Sequence, residues 1–255
     1  MLDPLIGEAE EDLSSSSNKR SVSLVLKLLV AVSLLFFLLC GGLFVGLLFP
    51  AISNARLAAK STSVLANLRM IGIAFHEYHA VNQQLPMPFL SHAGKEIQRW
   101  ASWRVTLLPH LDESSSSWES NHAQISDSAA DRLLQEKCPS VYRKLIGQHR
   151  EAVSDETGVF VVEHPDGVMS GTRPVSFDEV TDGLKDTILA VVVTTRSVVW
   201  TEPKELNLQQ LHTAFESITP SHPLFVLFCD GSVKEFREPV APSVVTAMVT
   251  MASDD

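Results

Sequence analysis

One uncharged apolar run decides what kind of protein this chain can form. Residues 28–49 read LLVAVSLLFFLLCGGLFVGLLF. As an α-helix, this run is about 33 Å long, which matches a hydrocarbon core about 30 Å thick. A core helix of a small domain is seldom apolar on every face, and the apolar core of a signal peptide is usually shorter. The run therefore predicts one retained transmembrane helix within residues 21–50, with the lipid bilayer as its partner.

The flanks of this run suggest how the chain is oriented. Residues 1–20 are polar and include the run Ser14–Ser17, which predicts a disordered tail. Basic residues lie on both sides of the span: Lys19, Arg20 and Lys27 before it, Arg56, Lys60 and Arg69 after it. The nearest of these charges favour a cytoplasmic N-terminus.

Composition argues against several classes of function for the rest of the chain. The net charge is -10, and no basic face is visible, so a nucleic acid is not expected as a partner. The three cysteines are Cys40, Cys138 and Cys229, and no two of them form a CxxC pair. This pattern indicates neither a disulfide scaffold nor a zinc site.

A second helical pattern follows the span. From Ala51, apolar side chains recur mostly at steps of three and four residues, which predicts an amphipathic helix of about 30 residues. The positions are Leu57, Leu65, Leu68, Ile71, Phe75 and Tyr78. Leu85-Pro86 ends the pattern. We expect one long helix whose first half crosses the membrane and whose second half packs on a folded domain.

The rest of the chain favours short helices and antiparallel strands. Asp230-Gly231 between two apolar runs is the strongest hairpin signal. Further strands are predicted at Gly158–Glu163, Thr187–Thr195 and Val198–Thr201. Short helices are predicted at Asn207–Ile218 and from Ser126 or Asp127 to Lys137, and Ser102–Glu113 is predicted as a short helix or an apolar turn. The predicted fold of residues 51–255 is α+β, with an antiparallel sheet on the exported half of the long helix.

The motifs of this region, taken in order, resemble those of the prepilin-type H-x9-DG family, a bacterial domain family of unknown function related to type II secretion pseudopilins. The matching pieces span residues 49–51, 54–56, 67–72, 102–111, 138–140, 181–189, 200–206 and 226–236. The motif residues carried over are His222, Asp230, Gly231, Asp182, Gly183, Cys138 and Pro139.

The resemblance implies a pilin-like fold and a structural or interaction role, with neither an enzymatic activity nor a cofactor. It also implies an inner-membrane protein whose C-terminal domain is periplasmic and whose partners are secretion or pilus-like envelope proteins. Two alternatives stay open: an anchored module that binds calcium or an envelope polymer, and an unrecognised envelope enzyme.

The chain departs from the family pattern at several positions. Ser21 stands in place of the glycine before the peptidase cleavage point, and the following glutamate is missing, so we expect no prepilin processing. Seven residues, instead of nine, separate His222 from Asp230. Val64 occupies a position where the family commonly has cysteine, and we expect Cys138 and Cys229 to be unpaired.

Two patterns could indicate a metal site. His76 and His79 are three residues apart, whereas the HExxH motif places its histidines four apart, so a position on the helix surface or packing against the sheet is the favoured interpretation. Asp166, Asp182 and Asp230 each precede a glycine. Such pairs are typical of turns, although carboxylate-rich loops can also bind calcium.

Overall fold

The computed structural model describes residues 5–91, 99–111, 138–143 and 155–252. The chain divides into two compact units, Met1–Ala58 and Ala59–Asp255. Helix α1, Leu5–Asn82, contributes to both units. Residues 5–20, expected to form a disordered tail, are therefore helical. Residues 8–20 contain neither glycine nor proline, the two residue types least compatible with a helix.

The first unit contains the apolar segment. Val25–Phe44 has a mean hydropathy of 2.4, and none of it is buried. Within the described chain, this is the one segment long and apolar enough to cross a membrane, and its position near the N-terminus fits a membrane anchor or a signal sequence.

The second unit combines short helices and strands with the end of α1. Its strands are β1 (Phe89–Ser91), β2 (Arg99–Ser102), β3 (Glu156–Thr157), β4 (Val159–Phe160), β5 (Ile188–Val193), β6 (Val198–Val199), β7 (Leu224–Phe228) and β8 (Val233–Phe236). Its further helices are α2 (Trp103–Thr106), α3 (Leu208–Glu216) and α4 (Pro242–Val249), with 3-10 turns at Leu108–His110 and Phe177–Glu179.

The strands form three antiparallel sheets. Two are strand pairs, β1-β2 and β3-β6, and the main sheet has the order β4-β5-β7-β8. The α+β prediction is confirmed. The strand predicted at Gly158–Glu163 is shorter than expected because, after Phe160, Val162 and Glu163 make only isolated bridges.

Both faces of the two central strands of the main sheet, β5 and β7, are buried. In β7, Phe225 and Leu227 join the core that contains α1, whereas Val226 and its neighbours on the other face join the core of α3 and α4. Alternate side chains of a strand point to opposite faces. The sheet therefore lies between two helical layers, although α4 was not expected from the sequence.

The C-terminal part of α1 packs closely on this sheet. Leu68, Ile71 and Phe75 are fully buried. A Cβ atom at Gly72 would lie 3.0 Å from Leu227 Cδ1, so the absent side chain permits the close approach of helix and strand. The helix ends at Asn82, just before Leu85-Pro86, as the sequence predicts.

Other local predictions can be checked directly. Asn207 caps α3, and its side chain accepts from the Gln210 N–H at 2.8 Å. Cys138 and Cys229 are free thiols, as expected. The helix predicted up to Lys137 lies outside the described residues.

Candidate functional site

Two of the motif turns lie against each other. The N–H of Asp230 donates to the carbonyl oxygen of Leu184 at 3.0 Å, and the N–H of Cys229 donates to that of Thr187 at 2.9 Å. Gly183 and Gly231 have φ values of 102° and 82°, a region that glycine enters without strain. The two Asp-Gly motifs thus form a pair of packed turns, in agreement with the turn interpretation.

The third Asp-Gly turn joins them through the end of the described chain. The N–H of Met251 donates to the Asp166 carbonyl oxygen at 2.9 Å, and the Asp182 N–H donates to the Met251 carbonyl oxygen at 3.1 Å. These contacts use backbone atoms. Across the described ranges, no three His, Cys, Asp or Glu side chains are close enough to hold a metal ion.

The remaining motif residues are dispersed. His222 is exposed in the turn before β7, where its Nδ1 lies 3.2 Å from Ser221 Oγ. Strand β7 separates it from Asp230, so the two named ends of the motif do not meet. Cys138 is buried, and Pro139 accepts backbone hydrogen bonds from Tyr142 and Arg143.

The two helix histidines pack on one aromatic ring. The ring centroids of His76 and His79 lie 4.7 and 4.8 Å from that of Phe177. His79 Nε2 is 2.9 Å from Ser176 Oγ and accepts from the Phe177 N–H at 3.4 Å. Both histidines thus pack on the Phe177–Glu179 turn, and His79 helps to begin that turn.

A buried ion pair, Arg104 with Glu205, lies in the described core and was not revealed by the sequence. Arg104 donates to both carboxylate oxygens of Glu205, at 2.9 and 3.2 Å, and the two side chains are 0% and 1% exposed. Arg104 also donates to the Val159 carbonyl oxygen, and Glu205 accepts from the Val161 N–H at 3.0 Å. Burial raises the pKa of Glu205, whereas Arg104 and the Val161 N–H lower it.

This pair connects three parts of the fold. Arg104 lies in α2, Glu205 precedes α3, and both bind the backbone of the β4 region. A fully enclosed, fully hydrogen-bonded pair is not accessible to a substrate. Its role is structural, and removing one partner would leave a buried charge without its counter-ion.

The two thiols of this unit are poor nucleophiles. Burial raises the pKa of Cys138 to about 12 and also raises that of Cys229. Because the thiolate is the reactive form, both thiols stay protonated and unreactive near neutral pH.

The exposed side of α1 presents a different surface. Together with the Asp230-Gly231 turn, it lines a shallow groove formed by Arg69, Ile73, His76, Glu77, Ala80, Asp230 and Gly231. Ile73 is 57% exposed at the centre of this helix face, and Met70 beside it is 42% exposed. In the core of a domain, neighbouring segments would cover such apolar side chains. Here the side chains of Ile73 and Met70 face solvent.

Some of this surface could have been found in the sequence. Between the buried positions of α1, residues 66, 69, 73, 77 and 80 recur at steps of three and four, which defines a second helix face. No comparable signal links Arg104 to Glu205, because 100 residues separate them and the pairing depends on the tertiary fold.

The chain resembles a family without an assigned role. Residues 53–142, about a third of the chain, match a family model described as a protein of unknown function (DUF1559). No curated protein and no solved structure matches the chain. The family match supports an uncharacterised domain family whose model covers the C-terminal part of α1.

Proposed function

We propose that this protein is a single-pass, membrane-anchored, pseudopilin-like structural or interaction protein of the bacterial cell envelope, and that it is not an enzyme. The observation that carries the proposal is the exposed face of α1 around Ile73, an apolar centre with charged neighbours on a well-packed domain. Exposed apolar surface rimmed by polar groups can mark an interaction site, and Ile73 and Met70 form the apolar part of this face.

The remaining chemistry of the described domain supports this proposal. Arg104 and Glu205 are buried and paired with each other. Cys138 and Cys229 are buried, and the Asp-Gly motifs form turns. None of these groups combines exposure with a reactive neighbour. An interaction role needs no such combination, whereas acid–base or nucleophilic catalysis does.

The anchor is proposed to be retained in the inner membrane, with the N-terminus in the cytoplasm and residues 51–255 in the periplasm. The apolar segment Val25–Phe44 supports the anchor, and the basic residues before it support the orientation. Labelling of a cysteine introduced into a Cys40→Ser background, in which Cys138 and Cys229 stay buried, tests both. We expect Lys185→Cys to react with an impermeant maleimide that crosses only the outer membrane, and Ser15→Cys to react only after lysis. The reverse pattern would overturn the orientation.

Retention of the full N-terminus has its own test. Because Ser21 replaces glycine and the glutamate is missing, we expect no mature chain that begins at Val22. Intact mass of the membrane-extracted protein distinguishes the two forms, since cleavage would remove 21 residues.

The interaction role is tested by a photo-crosslinking amino acid placed at position 73 of the full-length, membrane-bound protein. We expect a covalent product with another protein chain. The same amino acid at Lys185, exposed in the Asp182–Asp186 turn region, is the matched control and should give little product. Equal yields at both positions, or none at position 73, would contradict the proposal.

A further inference from the structure

We propose that residues 249–251, at the end of α4 and just after it, form a clasp that fixes one wall of the groove beside Ile73. Opening of the clasp loosens that wall. This inference rests on the proposed interaction role of the groove and names a contact that controls its shape. All the residues concerned belong to the second unit.

The backbone of Met251 is bound from two sides. Its N–H donates to the Asp166 carbonyl oxygen at 2.9 Å. Its carbonyl oxygen accepts from the N–H groups of Thr181 and Asp182 at 2.9 and 3.1 Å, and from the Thr181 hydroxyl at 3.2 Å. A single residue therefore joins two Asp-Gly turns that come from separate stretches of the chain.

The clasp also passes from one core to the other. Val249 belongs to the core of α3 and α4, whereas Met251 belongs to the core that contains α1 and is 8% exposed. Gly167 permits this passage, because a Cβ atom there would lie 3.1 Å from the Val249 carbonyl oxygen. The chain thus crosses between the two helical layers within this short segment.

Hydrogen bonds lead from the clasp to the groove. The clasp holds the N–H of Asp182, and the Asp186 N–H closes the same turn on the Gly183 carbonyl oxygen at 3.1 Å. In that turn, the Leu184 carbonyl oxygen accepts from the N–H of Asp230 at 3.0 Å. Asp230 lines the groove, so the turn held by the clasp supports the groove wall directly.

Both the clasp and this turn belong to the less buried part of the domain. Residues 181–186 are exposed or half-buried, Thr250 is half-buried, and Ala252 is exposed. Segments with few buried apolar contacts open locally at a smaller cost than the whole domain unfolds. The buried side chain of Met251 is the main apolar anchor of the clasp, so a change at this side chain should open it.

Hydrogen exchange resolved at single amides, on the full-length protein in detergent, tests the clasp. Met251→Asp places a carboxylate where an apolar side chain was buried, which opposes closure. Ala252→Asp adds the same charge at the exposed neighbouring position and is the matched control. We expect Met251→Asp to speed exchange at Thr181, Asp182 and Asp230 on the order of tenfold or more, and the control to leave it unchanged.

The buried residue Phe215 in α3 shows whether the domain stays folded. We expect exchange at its amide to be unchanged in the Met251→Asp protein. A rise there equal to the rise at Asp230 would overturn a local clasp, because residue 251 would then support the whole domain. Faster exchange at Thr181 and Asp182 with no change at Asp230 would overturn the link to the groove. No change at any of these amides would overturn the clasp itself.

The photo-crosslinking amino acid at position 73 separates this inference from the proposed function. We expect Met251→Asp to lower the yield of that cross-link and Ala252→Asp to preserve it, because a loosened wall is less well organised for binding. An undiminished yield together with faster exchange at Asp230 would overturn the clasp as a control of the site and leave the interaction role standing. No cross-link in the protein without either change would overturn the interaction role, whereas hydrogen exchange would still decide whether the clasp holds the groove wall.

Discussion

Two sets of opposite charges in the same domain have contrasting environments. Arg104 and Glu205 are almost fully buried and joined by two hydrogen bonds, whereas Arg69 and Glu77 are exposed on either side of Ile73. The first set holds α2, the β4 region and the approach to α3 together. Arg69 and Glu77 do not contact each other, and their charged groups face solvent. Residue type alone does not distinguish a structural charge from a binding charge; burial does.

The largest expected effect is on the buried pair. Glu205→Gln retains the shape of the side chain but leaves Arg104 without a counter-ion, and it should lower the free energy of unfolding by about 3–5 kcal/mol. Urea unfolding of the full-length protein in detergent measures this loss. Glu202→Gln is the matched control, because Glu202 pairs with Lys204 at the surface and should cost less than about 1 kcal/mol. Equal costs would remove the distinction between the two environments.

The buried face of α1 should respond almost as strongly. Leu68→Ala and Phe75→Ala remove fully buried side chains and should each cost about 2–5 kcal/mol, seen as a clear fall in melting temperature. Lys60→Ala, on an exposed position of the same helix, should have little effect. If Leu68→Ala were as mild as Lys60→Ala, this part of α1 would not belong to the core.

A smaller effect is expected at the edge of the groove. Gly231 has φ of 82°, and an added Cβ would come no closer than 3.8 Å to His76 Nε2. Gly231→Ala should therefore cost about 1–2 kcal/mol through backbone strain alone, without a steric clash. Chemical denaturation measures the loss, and a cost near zero would show that the turn relaxes freely.

Much of the fold is predictable from local chemistry. The periodic apolar positions of α1, the Asp230-Gly231 hairpin and the Asn207 cap depend on neighbouring residues, and each is found where the sequence predicts it. The packing of Leu68 and Phe75 follows from the same periodicity. The pilin-like and secretion-related interpretation depends on the family resemblance and stays a prediction.

The candidate site was less predictable for physical reasons. The motif residues His222 and Asp230 are close in sequence, but strand β7 separates them, so the motif does not bring them together in the fold. The Arg104–Glu205 pair could not be predicted, because it forms only when segments distant in sequence fold against each other. Helix α4 was missed because its Pro242 start has no side-chain cap to mark it.

The most direct test of the central claim is the stability of Ile73→Lys in the full-length protein. Because Ile73 is 57% exposed, a lysine there can keep its charge in water, and the free energy of unfolding should change by no more than about 0.5 kcal/mol. A loss of more than about 2 kcal/mol would show that Ile73 belongs to the domain core, and the face around it would then not be a binding surface.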